Sequence, residues 1–471
     1  MSKESGKENE RNMPSSLKID MCNGPMTGKM LRFAVPLMLS GLLQCLFNAS
    51  DTVVVGKFAG YEALGAVGST GSLINLIINL FVGLSVGVNV VAAQYYGAGR
   101  ERRINKMVHT SITLALSCGA VLMVIGIFAA KPMLRLMSSP EDVIDLAALY
   151  VRIYFIGVPA MMVYNFGAAL LRASGDTKRP MLYLLVAGVV NVILNLVFVI
   201  GFKMSVAGVA IPTAISQYVS AALILRGLIK EKDSLHFDFR RLGVDKVMVG
   251  SIIRIGLPAG FQGTVFSMSN VVIQSAINSF GSIVIAGSAA ASTIEGFVYV
   301  AMNAFYHTAV TFVGQNYGAK KYHRVSRSLG LCQAMVIAAG IVFGGLATLF
   351  SRQLLGIYSP DASVVAAGVK RMRLVCAPYF LCGIMDVMVG GLRGIGYSIM
   401  PMIVSLLGAC GLRILYITTI FPSYHTETML YIIYPISWLI TATVHIVCYI
   451  WTYKKKLKPM MVMVKANGVE A

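Results

Sequence analysis

Charged residues are scarce in this 471-residue chain, at 13% of the sequence against roughly a quarter in an average soluble protein. A glycine-rich phosphate-binding loop is also missing, which argues against ATP hydrolysis by this chain. The histidines His109, His307 and His445 are isolated, and none forms a His-x-x-x-His or Glu-x-x-His pair that could hold a metal. The sequence therefore predicts no enzyme, no metal site and no cofactor.

Paired cysteines are lacking as well. The eight cysteines follow neither a disulfide framework nor a zinc-binding spacing, and all but Cys22 lie in apolar segments. The first 28 residues are rich in Ser, Asn, Lys and Glu and have no apolar core of the kind found in a cleaved signal peptide. This composition predicts a disordered tail.

Long apolar stretches fill the rest of the chain, which is 56% hydrophobic. Residues 31–55 carry no charge between Arg32 and Asp51. A helix rises about 1.5 Å per residue, so ~20 apolar residues suffice to cross a bilayer core. The sequence predicts an all-α integral membrane protein with twelve transmembrane helices. The predicted spans are 31–55, 69–95, 107–130, 143–171, 180–200, 205–225, 252–279, 284–313, 328–350, 364–392, 400–421 and 429–452.

The formal net charge of +20 does not indicate a nucleic-acid partner, because the lysines and arginines cluster in short loops between apolar spans. Basic loops mark the cytoplasmic side of membrane proteins. This pattern predicts a multi-pass protein of the cell membrane with both termini in the cytoplasm. The basic clusters lie in 3–29, 100–106, 172–179, 226–254, 320–327 and 454–458.

The two halves of the chain repeat one another. The motif Gln-x-Tyr-Gly-Ala begins at Gln94 and again 221 residues later at Gln315, and Arg172 is followed at the same offset by Arg393. Two six-span halves that enter from the same side are related by an axis along the membrane normal, with a central cavity between them. The predicted organisation is a tail (1–28), a six-helix lobe (29–226), a cytoplasmic linker loop (227–250), a second six-helix lobe (251–455) and a tail (456–471).

Three acidic residues lie inside predicted spans, namely Asp51, Glu295 and Asp386. A carboxylate at bilayer depth is costly, so such residues usually serve a proton or cation pathway. Other readings stay open: Asp51 could be solvated at the outer mouth, Asp386 could pair with Arg393, and Glu295 could bond to a neighbouring hydroxyl for packing.

Amide and hydroxyl side chains accompany Asp51 in the first half. Asn191 and Asn195 are four residues apart and therefore share a helix face. Asn165 in span four and Thr213 in span six add polar groups. Such groups can coordinate Na⁺ or position a proton-carrying carboxylate, although amides also join membrane helices to one another.

The residues from Pro36 to Asp51, the repeated Gln-x-Tyr-Gly-Ala motif and the segment 171–180 resemble the multidrug and toxic compound extrusion (MATE) family. This resemblance covers about residues 29–455. It implies two six-helix lobes, a V-shaped cavity and efflux of organic cations driven by Na⁺ or H⁺.

The resemblance also assigns site residues. Asp51 falls on the family's first-span acid. In the DinF-like branch, which the chain resembles more, this acid works with residues that match Asn191, Asn195 and Thr213, but Asn195 replaces an aspartate. The acids of the NorM-like branch fall on Phe266 and Cys382, so that second-lobe site is missing in its usual form, and Glu295 and Asp386 could stand in for it.

The sequence thus predicts a monomeric antiporter, surrounded by membrane lipid, that exports organic cations or amphiphilic drugs in exchange for H⁺ or Na⁺. Since Asn195 removes one charge, H⁺ is favoured. The alternative is a flippase for lipid-linked precursors, which requires a cationic cavity. The few basic residues inside spans lie mostly near span ends, which counts against it. They are Arg152, Lys370, Arg371, Arg373 and Arg413.

Overall fold

The computed structural model describes residues 18–59, 61–136 and 141–466, and within these ranges every regular element is helical. Twelve long helices are present in this part of the chain, two of them interrupted. They are α1 (Thr27–Val54), α2 (Tyr61–Gly97), α3 (Glu101–Leu136), α4 (Glu141–Ala173), α5 (Lys178–Leu196), α6 (Ala207–Lys230), α7 (Lys246–Asn278), α8 (Ser282–Gly318), α9 (Tyr322–Leu349), α10 (Ala362–Val375 and Tyr379–Gly394), α11 (Ile399–Ser405, Leu406–Gly411 and Leu412–Thr419) and α12 (Glu427–Thr452).

Most of these helices can cross a membrane by length and composition. Among the described residues ten qualify singly, and the two segments of α10 qualify together as one span bent by 46°. The sequence predicts an unbroken span at 364–392, and the structure breaks it just before Tyr379. Pro378 lies at the break, where its ring and its missing N–H oppose continuation of the helix. The remaining helix, α7, has 33 residues and carries polar side chains that line a cavity.

The helices form two halves, α1–α6 and α7–α12, which meet mainly through α2 against α7 and through α8 against α1 and α2. Equivalent positions of the repeat meet where the halves join. Ala93 of α2 and Gly314 of α8 are 221 residues apart, and a Cβ atom added to Gly314 would lie 3.1 Å from the Cβ atom of Ala93. Beside them, the buried side chains of Asn89 and Thr311 are hydrogen-bonded to each other at 3.3 Å. A residue that contacts its own repeat mate lies on the symmetry axis, so the pseudo-twofold axis passes between α2 and α8.

Glycines allow the two halves to touch backbone to backbone. A Cβ atom added to Gly83 of α2 would lie 2.1 Å from the backbone nitrogen of Gly260 in α7, and one added to Gly260 would lie 2.1 Å from the carbonyl oxygen of Leu80. Neither contact leaves space for a side chain. Small residues are the usual means of close helix approach inside membranes.

The repeated Gln-x-Tyr-Gly-Ala motif also joins the halves. The Gln94 side chain donates to the Gly394 carbonyl oxygen at 2.8 Å, and Gln315 donates to the Ala173 carbonyl oxygen at 2.6 Å. These two bonds are related by the repeat. The motif ends α2 and α8 beside the basic loops 100–106 and 320–327, so we call this end of the bundle the basic face. The halves are in contact there.

The prediction that residues 1–28 are disordered is wrong for the part that the structure describes; residues 1–17 lie outside the described residues. Residues 18–26, here called the N-terminal strap, run across the basic face to the start of α1. Met21 of the strap is fully buried because it packs into the apolar core of the second half. The sequence predicted a disordered tail here because the residues around Met21 are polar.

The strap contacts both halves. Lys18 forms ion pairs with Glu231, at 2.8 Å, and with Asp233, both in the connection between α6 and α7. Although burial opposes the charged ammonium, its hydrogen bonds to these carboxylates raise the pKa of Lys18. On the other side, Asn316 of α8 donates to the Met21 carbonyl oxygen at 3.2 Å. The strap therefore spans the junction on the basic face.

The two other predicted non-membrane segments also contain ordered structure. In the connection between α6 and α7, Leu235 and Phe237 are buried and pack into the core of the first half. At the other end, the predicted tail 456–471 contains the helix Lys458–Ala466, while residues 467–471 lie outside the described residues. Leu457 is fully buried, so the chain remains packed beyond α12.

The contacts of the strap lead us to expect that the ion pairs of Lys18 limit the reactivity of Cys22. Burial raises the pKa of this thiol, which reduces the reactive thiolate at neutral pH. Lys18→Glu places a carboxylate beside Glu231 and Asp233, and we expect the repulsion to release the strap. Alkylation of Cys22, followed by peptide mass spectrometry, should then be several-fold faster than in the unaltered protein. Lys18→Arg keeps the charge and serves as the control, and equal rates in both variants would contradict the role given to Lys18.

Candidate functional site

Asp51 lies in the last turn of α1, and its carboxylate faces α5. Its Oδ1 accepts a hydrogen bond from Asn195 Nδ2 at 2.5 Å. Asn195 is fully buried, whereas Asp51 is partly exposed. The structure thus brings the predicted first-span acid onto the predicted amide, 144 residues apart in the chain. The acid is not simply solvated at a mouth of the bundle, because it is bonded to a buried side chain.

The network continues along α5 to α6. Asn195 Nδ2 also lies 3.3 Å from Asn191 Oδ1, one turn away on the same helix face, and Asn191 Nδ2 lies 3.4 Å from Thr213 Oγ1. The carbonyl oxygen Oδ1 of Asn195 is buried without a hydrogen-bond partner among the described residues. A carboxylate at one end and an unused amide oxygen beside it form a site that a proton or a small cation could use.

The fifth predicted residue of this half is placed differently. Asn165 of α4 donates to the carbonyl oxygen of Met161 in its own helix at 2.9 Å. No described hydrogen bond joins it to the network of Asp51. Sequence reasoning missed Tyr150 and Tyr154, which α4 brings close enough to interact electrostatically with Asp51. Their spacing of four residues puts them on one helix face, which is the one sequence signal that could have indicated them.

The second half contains a cavity of about 680 Å³ at the junction with the first half. Both acids predicted for this half line it, together with Phe266 and Cys382, the positions that match the acids of the NorM-like branch. Asn79 of α2 contributes to its wall and lies 3.4 Å from Ser267 of α7. The cavity therefore lies where a movement of one half against the other would change its shape.

Glu295 of α8 is bound to an arginine. Its Oε1 and Oε2 accept hydrogen bonds from Arg371 Nε at 2.7 Å and Arg371 Nη2 at 2.8 Å. The third guanidinium nitrogen, Nη1, donates to Ser288 Oγ at 2.9 Å. Both partners are more than nine-tenths buried. Two parallel bonds of this kind form a strong, geometrically fixed pair, so the two charges neutralise each other.

Asp386 of α10 has a different environment. Its Oδ2 is buried and has no hydrogen-bond partner among the described residues, and no described ion pair joins it to Arg393. Arg393 instead donates to Tyr306 Oη at 2.7 Å and to Gln262 Oε1 at 2.9 Å. The structural pair that the spacing of Asp386 and Arg393 suggested is therefore not formed.

A further arginine of the cavity, Arg413 of α11, is one of the few basic residues that the sequence places inside a predicted span. It is buried, its Nε donates to Ser437 Oγ at 2.8 Å, and its guanidinium lies 4.5 Å from the ring centroid of Tyr434. Its Nη2 has no partner among the described residues. Arg413 follows directly after the π-helical turn Leu406–Gly411, and such turns are frequent at functional sites. Sequence gave no signal for this turn.

Comparison with known proteins agrees with the repeat and the fold. The MatE family model matches residues 36–197 and 258–419, once in each half. The probable multidrug resistance protein YoeA of Bacillus subtilis is 28% identical over 391 residues, which cover 81% of this chain and 84% of that protein. The probable multidrug resistance protein YpnP of the same organism is 27% identical over 398 residues, which cover 84% of this chain and 88% of that protein.

A solved structure supports the architecture. An outward-facing multidrug resistance transporter of the MATE family matches with a TM-score of 0.87 at 20% identity, over 95% of this chain and 99% of that one. At this identity the likeness shows the fold alone. It confirms the predicted class, an all-α membrane protein of twelve helices in two repeats. Since the family model covers more than half of the sequence, the chain belongs to the MatE (multidrug and toxic compound extrusion) family of membrane transporters.

Proposed function

We propose that this chain is a secondary antiporter that exports organic cations or amphiphilic drugs from the cell in exchange for H⁺ or Na⁺. The observation that carries the proposal is the network from Asp51 through Asn195 and Asn191 to Thr213. It offers one carboxylate among neutral partners, so one monovalent ion or proton can neutralise it. The relatives described as multidrug resistance proteins support the substrate class.

Coupling in this mechanism depends on the two halves changing their mutual arrangement. In this structure the two halves contact each other at the basic face, through the N-terminal strap and through the side chains of Gln94 and Gln315. Binding of the coupling ion to Asp51 changes the charge of the first half and biases the arrangement. We place the basic face and both termini in the cytoplasm by the positive-inside rule, with the protein a monomer in the cell membrane.

The geometry favours H⁺ as the coupling ion. The Asn195 amide presents its N–H to Asp51, and a donor in this position competes with a cation for the carboxylate. A Na⁺ site needs several oxygens around the ion, so the amide would have to rotate and present Oδ1. A proton needs only one carboxylate oxygen. The DinF-like pattern has an aspartate at the position of Asn195, and the asparagine here provides one negative charge less.

The deciding experiment uses purified protein in vesicles. Efflux of a cationic dye is recorded under a pH gradient without Na⁺ and under a Na⁺ gradient at constant pH. We expect the pH gradient to drive efflux. Strict dependence on Na⁺, with no response to the pH gradient, would overturn the choice of ion, and no dye movement under either gradient would overturn the proposed function.

Asn195→Asp tests the ion choice within the network. The substitution supplies a second carboxylate beside Asp51, as in the DinF-like pattern, and we expect the dependence of efflux on Na⁺ to increase. Asn165→Asp is the matched control, because it adds the same charge on α4, where the amide bonds to its own helix. A similar increase in both variants would mean that added charge, not site geometry, is responsible.

The second candidate, a lipid-linked precursor flippase, gains one observation from the structure. Three arginines line the second-half cavity, namely Arg371, Arg393 and Arg413, although the sequence placed most basic residues near span ends. Two acids line the same cavity and Arg371 is neutralised by Glu295. A pyrophosphate group would meet these acids, so the cavity favours a ligand with less negative charge.

A further inference from the structure

The second half has a surface groove of about 700 Å³ at the end of the bundle opposite to the basic face. It lies between the short helix Ser351–Gly356, the first segment of α10 and the start of α12. Three basic residues line it, namely Arg352, Lys370 and Arg373. We propose that this groove binds the headgroup of an anionic glycerophospholipid from the membrane leaflet opposite to the basic face. The proposal concerns lipid binding alone, so it depends neither on drug efflux nor on the coupling ion.

The lengths and contacts of the helices place the groove at this end. Helix α9 begins at Tyr322 on the basic face and runs for 28 residues to Leu349. Since a helix rises about 1.5 Å per residue, α9 ends on the far side of the bundle. Lys370 Nζ lies 3.7 Å from the carboxylate of Glu427, the first residue of α12. The basic side chains of the groove therefore lie near the level at which α12 begins.

Large apolar side chains beside the groove are left uncovered by the rest of the chain. Leu349 and Phe350, just before the short helix, and Ile357, just after it, are 72%, 47% and 79% exposed. Uncovered apolar surface of this kind marks contact with a membrane or a partner. Lysine and arginine at such a level lay their alkyl stems on apolar surface and extend their charges to the lipid headgroups. A soluble anion would leave these apolar side chains in water, whereas a lipid covers them.

The first segment of α10 presents one face to the groove. The lining positions of this face recur every three or four residues, which is the spacing of one side of a helix. They are Ala362, Val365, Ala366, Val369, Lys370 and Arg373. Leu374, which also lines the groove, follows the two basic residues in the direction of the membrane interior, because α10 runs from this end towards the basic face. The basic side chains can hold a phosphate while acyl chains extend past Leu374.

The positive charge of the groove is poorly neutralised by the protein. Arg352 and Arg373 take part in no ion pair or hydrogen bond among the described residues. The pair of Lys370 with Glu427 is long and 45% exposed on the lysine side, so it is weak. Asp361, at the start of α10, uses its carboxylate to accept a hydrogen bond from the backbone of its own helix at 2.7 Å. With both carboxylates counted, one positive charge remains in excess, which matches the single negative charge of a phosphate diester.

The size of the groove agrees with a lipid headgroup. Sites for small molecules measure ~300–1,000 Å³, and about 700 Å³ leaves space for a glycerophosphate group with the first part of its acyl chains. Thr428 adds a hydroxyl group to the wall beside the basic residues. A hydroxyl can donate to a phosphate oxygen, so the groove offers both charged and neutral donors to the headgroup.

Photochemical cross-linking tests the proposal on the unaltered protein. The probe is phosphatidylglycerol that carries a diazirine group on an acyl chain close to the glycerol. After irradiation of the detergent-solubilised protein, peptide mass spectrometry should find the lipid on peptides from 352–374 or on the peptide that contains Thr428. Excess unlabelled phosphatidylglycerol should remove this signal. Phosphatidylcholine with the same acyl chains, and soluble glycerol phosphate, should leave most of it in place.

Variants assign the signal to the basic residues. The double variant Arg352→Gln and Arg373→Gln should lower cross-linking in the groove at least about fivefold, because basic residues attract anionic lipid. Replacing the same two residues by lysine should retain it. Arg135→Gln is the matched control, since Arg135 is an exposed arginine in the last turn of α3, at the same end of the bundle, and does not line the groove. Cross-links on peptides of the basic face serve as the internal reference, because anionic lipid also collects there.

Four results would overturn the proposal. The first is the absence of cross-links on the groove peptides, and the second is equal displacement by phosphatidylcholine, which would mean that the headgroup charge is not recognised. The third is equal displacement by glycerol phosphate, which would make the occupant a free phosphate and not a lipid. These three use the unaltered protein and hold even if a variant does not fold. The fourth is unchanged cross-linking in a folded Arg352→Gln and Arg373→Gln protein. None of them depends on efflux, so this proposal and the proposed function can fail separately.

Discussion

Asp51→Asn is expected to reduce ion-coupled efflux to the level of vesicles without protein, while the protein still folds. The amide has nearly the same size as the carboxylate and can stay beside Asn195, but it carries neither a negative charge nor a proton that can be exchanged. Without that change of charge, the coupling ion cannot bias one arrangement of the two halves over the other. Dye efflux from vesicles under an imposed pH gradient measures the loss.

The control for this variant is Asp145→Asn. This variant makes the same change from carboxylate to amide. The Asp145 side chain, however, lies near the start of α4, is 77% exposed and pairs with Lys131 at 2.5 Å. Exposed pairs contribute little, so efflux should remain close to that of the unaltered protein. Full ion-coupled efflux by Asp51→Asn would refute the role of Asp51.

Glu295→Gln is expected to lower the free energy of unfolding by about 3–5 kcal/mol, because it leaves the buried guanidinium of Arg371 without its counter-charge. The pair is fixed by two hydrogen bonds, and both side chains are less than one-tenth exposed. Unfolding of the detergent-solubilised protein, followed by intrinsic fluorescence, should show a clearly lower midpoint temperature. Such a loss of stability would make Glu295 a structural residue rather than an ion-coupling one.

The control for Glu295→Gln is a carboxylate in a more exposed ion pair nearby. Lys370 and Glu427 approach to 3.7 Å with side chains 45% and 22% exposed, so Glu427→Gln should change stability by no more than about 1 kcal/mol. Combining Glu295→Gln with Arg371→Met removes both charges and should recover part of the loss. Equal stability of Glu295→Gln and the unaltered protein would show that the pair contributes nothing.

Several features of this protein follow from its sequence because they are local or repeated. Apolar runs of membrane length predicted the helices, and the Gln-x-Tyr-Gly-Ala motifs at Gln94 and Gln315 predicted two equivalent halves. The spacing of Asn191 and Asn195 placed both amides on one face of α5, since four residues make about one helical turn. The structure joins this face to Asp51.

Two predictions from local sequence patterns are wrong. The polar composition of residues 18–28 predicted disorder, but Met21 inserts into the second half and Lys18 pairs with carboxylates more than 200 residues away. Composition averages over a segment and does not register a single anchoring side chain. The same spacing rule that succeeded for α5 suggested a pair between Asp386 and Arg393, which the structure does not form.

Partners on different helices were decided by the tertiary structure alone. Glu295 and Arg371 are 76 residues apart, and Arg413 meets Ser437 from a neighbouring helix. Such contacts depend on the rotation and depth of each helix against the next, and on the π-helical turn before Arg413. Sequence determined which charges lie within the membrane. Packing determined which of them are neutralised and which, like Arg413 and Asp386, are left facing a cavity, because the cost of a buried charge depends on neighbours that only the folded chain supplies.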